Sequence, residues 1–93
     1  MEITYDPNKS QRNIEQRGLS FDLVADLEWD TALIVPDTRF DYPEARFTAT
    51  GFIEQRLHVV CFTPTSRGIR VISFRKANRR EVNNYESERT ANQ

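Results

Sequence analysis

The sequence predicts an α+β domain in the order strand, helix, helix, four strands, helix, with a mostly antiparallel sheet. Three observations lead there. Short apolar stretches with strand-like alternation occur near the start and again from residue 32 onward. Capping residues stand wherever that pattern gives way to helical spacing. The breaks between the later apolar stretches, Glu54-Gln55-Arg56 and Pro64 to Gly68, are short enough for antiparallel turns.

Glu2-Ile3-Thr4-Tyr5 alternates and reads as the first strand. Asp6 can cap a helix whose first position suits Pro7. That helix carries Lys9, Arg12, Asn13 and Ile14 and stops at Arg17-Gly18, with Gly18 as the left-handed cap. Ser20 opens a second helix, with Leu19 and Val24 at the two ends of a hydrophobic staple. Phe21, Val24, Ala25 and Trp29 form its apolar stripe.

Ala32 to Val35 is a continuous apolar run ended by Pro36-Asp37, and predicts a strand. A polar connection, DTRFDYPEAR, spans residues 37–46. Three further strands follow, Phe47 to Ile53, Leu57 to Phe62 and Ile69 to Phe74. Asn78 and Glu81 have the spacing of a capping box for a last helix, docked through Val82 and Tyr85. Residues 1–89 are expected to form one domain and 90–93 a disordered tail.

The chain has 93 residues, which suffices for one core and not two. It is 38% hydrophobic and 29% charged, so the core should be thin, yet ten aromatic residues argue against disorder. No apolar run approaches the roughly 20 residues of a membrane helix. The start, MEITYDPNKS, lacks the apolar stretch of a signal peptide. Cys61 is a lone cysteine between apolar neighbours, a small core residue in a reducing cytoplasm, without a companion for a disulfide or a zinc site. GxGxxG, Walker and GxSxG patterns are absent, so neither a nucleotide cofactor nor a serine hydrolase is indicated. His58, the only histidine, sits mid-strand and reads as structural.

Charge is uneven. Residues 1–46 hold five Lys or Arg against ten Asp or Glu, and residues 47–93 hold eight against four. Within VISFRKANRREV (71–82), Arg75, Lys76, Arg79 and Arg80 fall within six positions where a strand hands over to a helix. Such asymmetry fits a polyanion site, an oppositely charged partner, or chance clustering on a small surface. Strict alternation puts Ile69, Val71, Ser73 and Arg75 on one face, and Arg70, Ile72, Phe74 and Lys76 on the other. A guanidinium held on a strand offers phosphate a planar fork of donors. The connection adds Arg39, Asp41, Glu44 and Arg46, either a positioning cluster at a groove or a solvated loop. Asp37, Asp41 and Glu44 match no metal-loop spacing. The acidic residues of NRREVNNYESER (78–89) weaken a DNA-recognition reading of the last helix.

Four segments together resemble the BrnT family of bacterial type II toxins. They are DPNKSQRN (6–13), RGLSF (17–21), DTRFDYPEAR (37–46) and IRVISFRKANRRE (69–81). The family's acidic stretch has Gly where this chain has Pro43, and its Ile-Ser-Ala-Arg-Lys-Ala stretch has Ala where Phe74 stands. The resemblance implies a RelE-like fold and a cytoplasmic, metal-independent endoribonuclease that inhibits translation and needs no cofactor. It implies a BrnA-like ribbon-helix-helix antitoxin as partner, with operator DNA bound only through that antitoxin. The RNA 2′-OH would attack the adjacent phosphate. Arg46, Arg70 and Arg75 are then expected to hold the phosphate, and Glu44 to accept the 2′-OH proton. Lys9, Asn13, Arg39, Lys76 and Arg79 are expected to contact RNA. One departure stands out: Arg17 occupies the place of a family His, and an arginine cannot act as a base at neutral pH. That leaves a second expectation, an inactive toxin homologue that binds the antitoxin and tunes promoter repression.

Overall fold

The computed structural model describes residues 1–91. β1 (Glu2–Thr4) leads into α1 (Pro7–Arg17), followed by two 3₁₀ helices, Phe21–Asp26 and Trp29–Thr31. β2 (Leu33–Pro36), β3 (Phe47–Ile53), β4 (Arg56–Pro64), β5 (Gly68–Lys76) and α2 (Arg79–Ala91) complete the chain. The sheet has five strands in the order β1-β5-β4-β3-β2. β1 runs parallel to β5, and every other neighbouring pair is antiparallel. The α+β class, the mostly antiparallel sheet and the succession of strands along the chain follow the sequence reading.

The caps act as their residue types require. Asp6 accepts the Asn8 N–H, and Gly18 closes α1 at φ 71° while donating to the Ile14 carbonyl. Asn78 and Glu81 exchange backbone and side-chain hydrogen bonds at 2.9 Å in both directions, a complete capping box. α2 extends to Ala91, so Thr90, expected in the tail, is helical and bonds the Glu86 carbonyl. Residues 92–93 of that expected tail lie outside the described residues.

The second expected helix is a correction. Residues 21–26 wind as a 3₁₀ helix. Its buried residues are Phe21, Val24 and, just past its end, Leu27, a spacing of three that suits three residues per turn. Ala25, expected in an α-helical stripe, is exposed.

Apolar packing forms on both faces of the sheet. The larger cluster joins Phe21, Val24 and Leu27 to Ala49, Val60, Phe62, Ile69, Val71 and Phe74. The smaller joins Leu57, Val59, Ala77 and Tyr85 beneath α2, with the Tyr85 hydroxyl donating to the Thr31 carbonyl at 2.9 Å. β4 is the shared centre, and its residues Leu57 to Thr63 are all buried. At Gly68 the β1 backbone comes so close that a Cβ would sit 2.0 Å from the Glu2 carbonyl oxygen.

A bulge decides which side chains share a face. Phe62 opposes Val71, whereas Cys61 opposes Ser73, leaving Ile72 extra. Val59, Cys61 and Thr63 point to one side of β4, and their partners are Arg75, Ser73 and Arg70. Arg70 and Arg75 therefore share the α2 face. Strict alternation had separated them, and that expectation is overturned. Lys76 pairs with His58 on the other face.

Candidate active site

The 37–46 connection folds against the end of β4 on the face that carries Arg70 and Arg75. Asp37 anchors it. Its carboxylate is almost fully buried, accepting from Arg39 Nε and Nη2 at 2.9 Å each and from the Tyr42 hydroxyl at 3.4 Å. The Cys61 thiol points at it from below, 3.7 Å away. The Arg39 fork is the main reason that the Asp37 pKa falls to about 2, against the opposing effect of burial. Burial, followed by the Asp37 charge, pushes the Cys61 thiol upward, so it is no ready nucleophile. Thr63 donates to the Ala45 carbonyl and fixes the far end of the connection.

Arg46 follows immediately. Its guanidinium lies over the Tyr42 ring, 4.0 Å from the centroid, and its Nη2 stands 3.5 Å from Glu44. The Arg46 Nε is buried and has no hydrogen-bond partner. Residues Pro36 to Phe47 line an open cleft of about 670 Å³. A second cleft of about 300 Å³ begins at the neighbouring Val35 and ends at Arg80, Glu81 and Asn84 of α2.

Arg75 sits on the same face, held by Glu81 through two 2.7 Å bonds, one to each carboxylate oxygen. That pairing raises the Arg75 pKa and lowers that of Glu81. The Arg39 charge also reaches Arg75, opposing its protonation. The Arg39 and Arg46 charges both act on Cys61. Arg39, Glu44, Arg46, Arg70 and Arg75 thus gather on one side of the sheet. Each of the best-fixed forks keeps donors free. Arg39 binds Asp37 through Nε and Nη2, leaving the Nη1 side open to the cleft.

The other expected residues lie elsewhere. Asn13 is buried, and its amide donates at 2.9 Å to both the Leu19 and Phe74 carbonyls. That ties α1 to β5 and leaves no amide proton for RNA. Lys9, one turn earlier, is half-buried, and no carboxylate among the described residues pairs with it. Lys76 is on the opposite face, beside His58. Arg79 is exposed at the start of α2, and Arg17 is exposed at the last turn of α1. His58 is buried, stacked 5.4 Å from Phe74, with Nδ1 2.8 Å from the Arg56 carbonyl. Burial, aided by Lys76 and Arg56, lowers its pKa. Sequence reasoning missed Tyr42 as a platform and Glu81 as the partner of Arg75. A Tyr four residues before an Arg is a weak signal, and the pairing of Glu81 with Arg75 has no local signature.

Asp37, Asp41 and Glu44 do not converge: among the described residues no three His, Cys, Asp or Glu are grouped to hold a metal ion. The open sheet face of this small α+β domain thus pairs its arginines with the carboxylates of Asp37, Glu44 and Glu81. The chain belongs to the BrnT family, whose model, described as the ribonuclease toxin BrnT of a type II toxin–antitoxin system, matches residues 5–81. It is thus a ribonuclease toxin by family, with RNA as target and an antitoxin as partner. No curated protein matches the chain.

Proposed function

We propose that this toxin is a metal-independent endoribonuclease working in the bacterial cytoplasm, where it inhibits translation by cutting RNA. The 2′-oxygen attacks the adjacent phosphorus, the bond to the 5′-oxygen breaks, and a cyclic 2′,3′-phosphate results together with a 5′-hydroxyl that takes its proton from water. Arg46 and Arg75 hold the non-bridging oxygens, on which charge builds in the transition state. Arg70, on the same face, and Arg39, at the cleft mouth, hold flanking phosphates. Glu44 takes the 2′-OH proton, since its carboxylate is 44% exposed and lies beside Arg46. The observation that carries the reading is the Arg46 guanidinium at the cleft, 23% exposed, with the Tyr42 ring beneath it fixing its plane and Nη1 making no hydrogen bond within the described residues. A phosphate oxygen would meet that outward donor.

Lys9, Lys76 and Arg79 are left as peripheral RNA contacts, and Asn13 serves the fold. The inhibitory partner is a BrnA-like antitoxin with a ribbon-helix-helix part, through which the complex reaches operator DNA. No helix among the described residues is long and apolar enough to cross a membrane. One observation favours a second reading, a toxin homologue acting only as antitoxin-binding co-regulator: Arg17 stands where the family has His.

Expression from a tight promoter, with and without the antitoxin, separates the two. The ribonuclease reading expects growth arrest and RNA cleavage that the antitoxin reverses and EDTA does not. Arg46→Ala and Arg75→Ala should relieve arrest by at least tenfold in surviving cells, with the fold and antitoxin binding kept. Cleavage that EDTA abolishes would remove the metal-free mechanism. Normal growth from folded protein that still binds antitoxin would establish the co-regulator.

A further inference from the structure

Glu81 has no role in the chemistry above, yet it makes two of the shortest polar contacts on the arginine face. Its Oε1 and Oε2 accept from Arg75 Nη1 and Nη2 at 2.7 Å each. Arg75 Nη1 gives its second proton to the Lys76 carbonyl at 3.3 Å. A guanidinium has five N–H donors. Three are engaged, and the two that remain, on Nε and Nη2, lie along one edge. That edge is a complete fork for two oxygens of a phosphate.

We infer that Glu81 is a positioning residue: it grips Arg75 by its terminal edge and thereby presents the Nε–Nη2 edge to an RNA phosphate. The inference rests on the ribonuclease reading above. Glu81 can do this because it is itself fixed. Its Oε1 also accepts the Asn78 N–H at 2.9 Å, and its own N–H donates to Asn78 Oδ1 at 2.9 Å. A capping box needs one acceptor oxygen from residue 81, which a glutamine supplies equally well. The second oxygen and the negative charge are surplus to the cap, and both go to Arg75.

A blocking role fits less well. An inhibitory carboxylate would cover the edge that phosphate needs, whereas here one edge stays free and the Arg75 side chain remains 38% exposed. A guanidinium already held in plane needs no reorganisation as charge builds on the phosphate. The Glu81 charge also offsets that of Arg75, so its removal should not weaken RNA binding. The loss falls on the rate.

The test uses the full chain and its Glu81→Gln variant, which keeps the cap. Thermal melts of the two should superimpose within a few degrees. In ¹⁵N NMR spectra, assigned with Arg75→Ala, the two Arg75 Nη signals should be distinct in the parent and averaged by rotation in Glu81→Gln. With a mixed-sequence fluorescent RNA, Glu81→Gln should lower kcat at least tenfold with KM unchanged or reduced. In an Arg75→Ala background the same substitution should have no further effect on cleavage. A kcat that is unchanged or raised would overturn the proposal, and so would averaged Arg75 Nη signals in a parent that cleaves RNA. If the parent does not cleave but Glu81→Gln frees a locked Arg75, the ribonuclease reading falls and the grip of Glu81 stands.

Discussion

Asp37 and His58 are two buried titratable side chains held in opposite charge states. Asp37 is ionised because a fork of Arg39 donors meets it, and its pKa drops from 3.8 to about 2. His58 is neutral because burial removes it from water, and its Nδ1 proton is aimed at the Arg56 carbonyl. Both folded pKa values lie below the unfolded ones, so in each case the unfolded chain binds the proton first. Stability from His58 is complete above the ordinary value of 6.5 and declines as pH falls through the folded value. Stability from Asp37 is complete above 3.8 and is lost as pH falls toward about 2. Melting temperature followed against pH should therefore fall in two steps on acidification. His58→Gln should remove the upper step, and Asp37→Asn the lower. A single acid transition unaltered by either change would show that neither group is linked to folding.

At the scale of the element, α2 matters through its first turn. The capping box satisfies two backbone N–H groups, and the same carboxylate holds Arg75. Asn78→Ala removes one half of the box. The expected cost is about 1 kcal/mol, or a fall of roughly 4–8 °C in melting temperature for a domain of this size. Calorimetry of the two proteins measures it. An undiminished melting temperature would mean that packing of Tyr85 and Val82 alone holds the helix. The bulge at Ile72 is the other decisive element. It spends one residue of β5 without a partner and turns Arg70 toward the face of Arg75.

For the molecule as a whole, residues from the two oppositely charged halves of the sequence meet on one face of the sheet. The acidic first half supplies Asp37 and Glu44 to orient arginines, while the basic second half supplies Arg70 and Arg75 from β5. A near-neutral chain can thus offer a local cationic surface. Binding to a non-cleavable single-stranded RNA should weaken with salt by a slope of about 0.7 per phosphate contacted. Arg46→Ala should reduce that slope by about one such unit. An unchanged slope would place the phosphate contacts elsewhere on the surface. Antitoxin that binds only the folded toxin should raise its melting temperature in a concentration-dependent way.

Local chemistry made much of this legible in the sequence. Pro7, Gly18, Asn78 and the short turns act over a few residues, and their effects hold in any context. They fixed the element order and both α-helices. The segments 37–46 and 69–81 likewise supplied the residues that share the α2 face, Arg39, Glu44, Arg46, Arg70 and Arg75. What they could not contain were long-range outcomes. Residues 21–26 became a 3₁₀ helix because Phe21, Val24 and Leu27 meet the sheet together. Asn13 became structural because Phe74, far along the chain, presents its carbonyl to it. Arg70 parted from Lys76 and came to share the face of Arg75 because β5 pairs with β4 through a bulge, and Glu81 met Arg75 because the α2 cap folds back on the end of β5. The sequence by itself determined which residues could bind phosphate, because that is a property of side-chain chemistry. The tertiary structure decided which of them work together, because a one-residue shift in strand register reverses the face on which each side chain emerges.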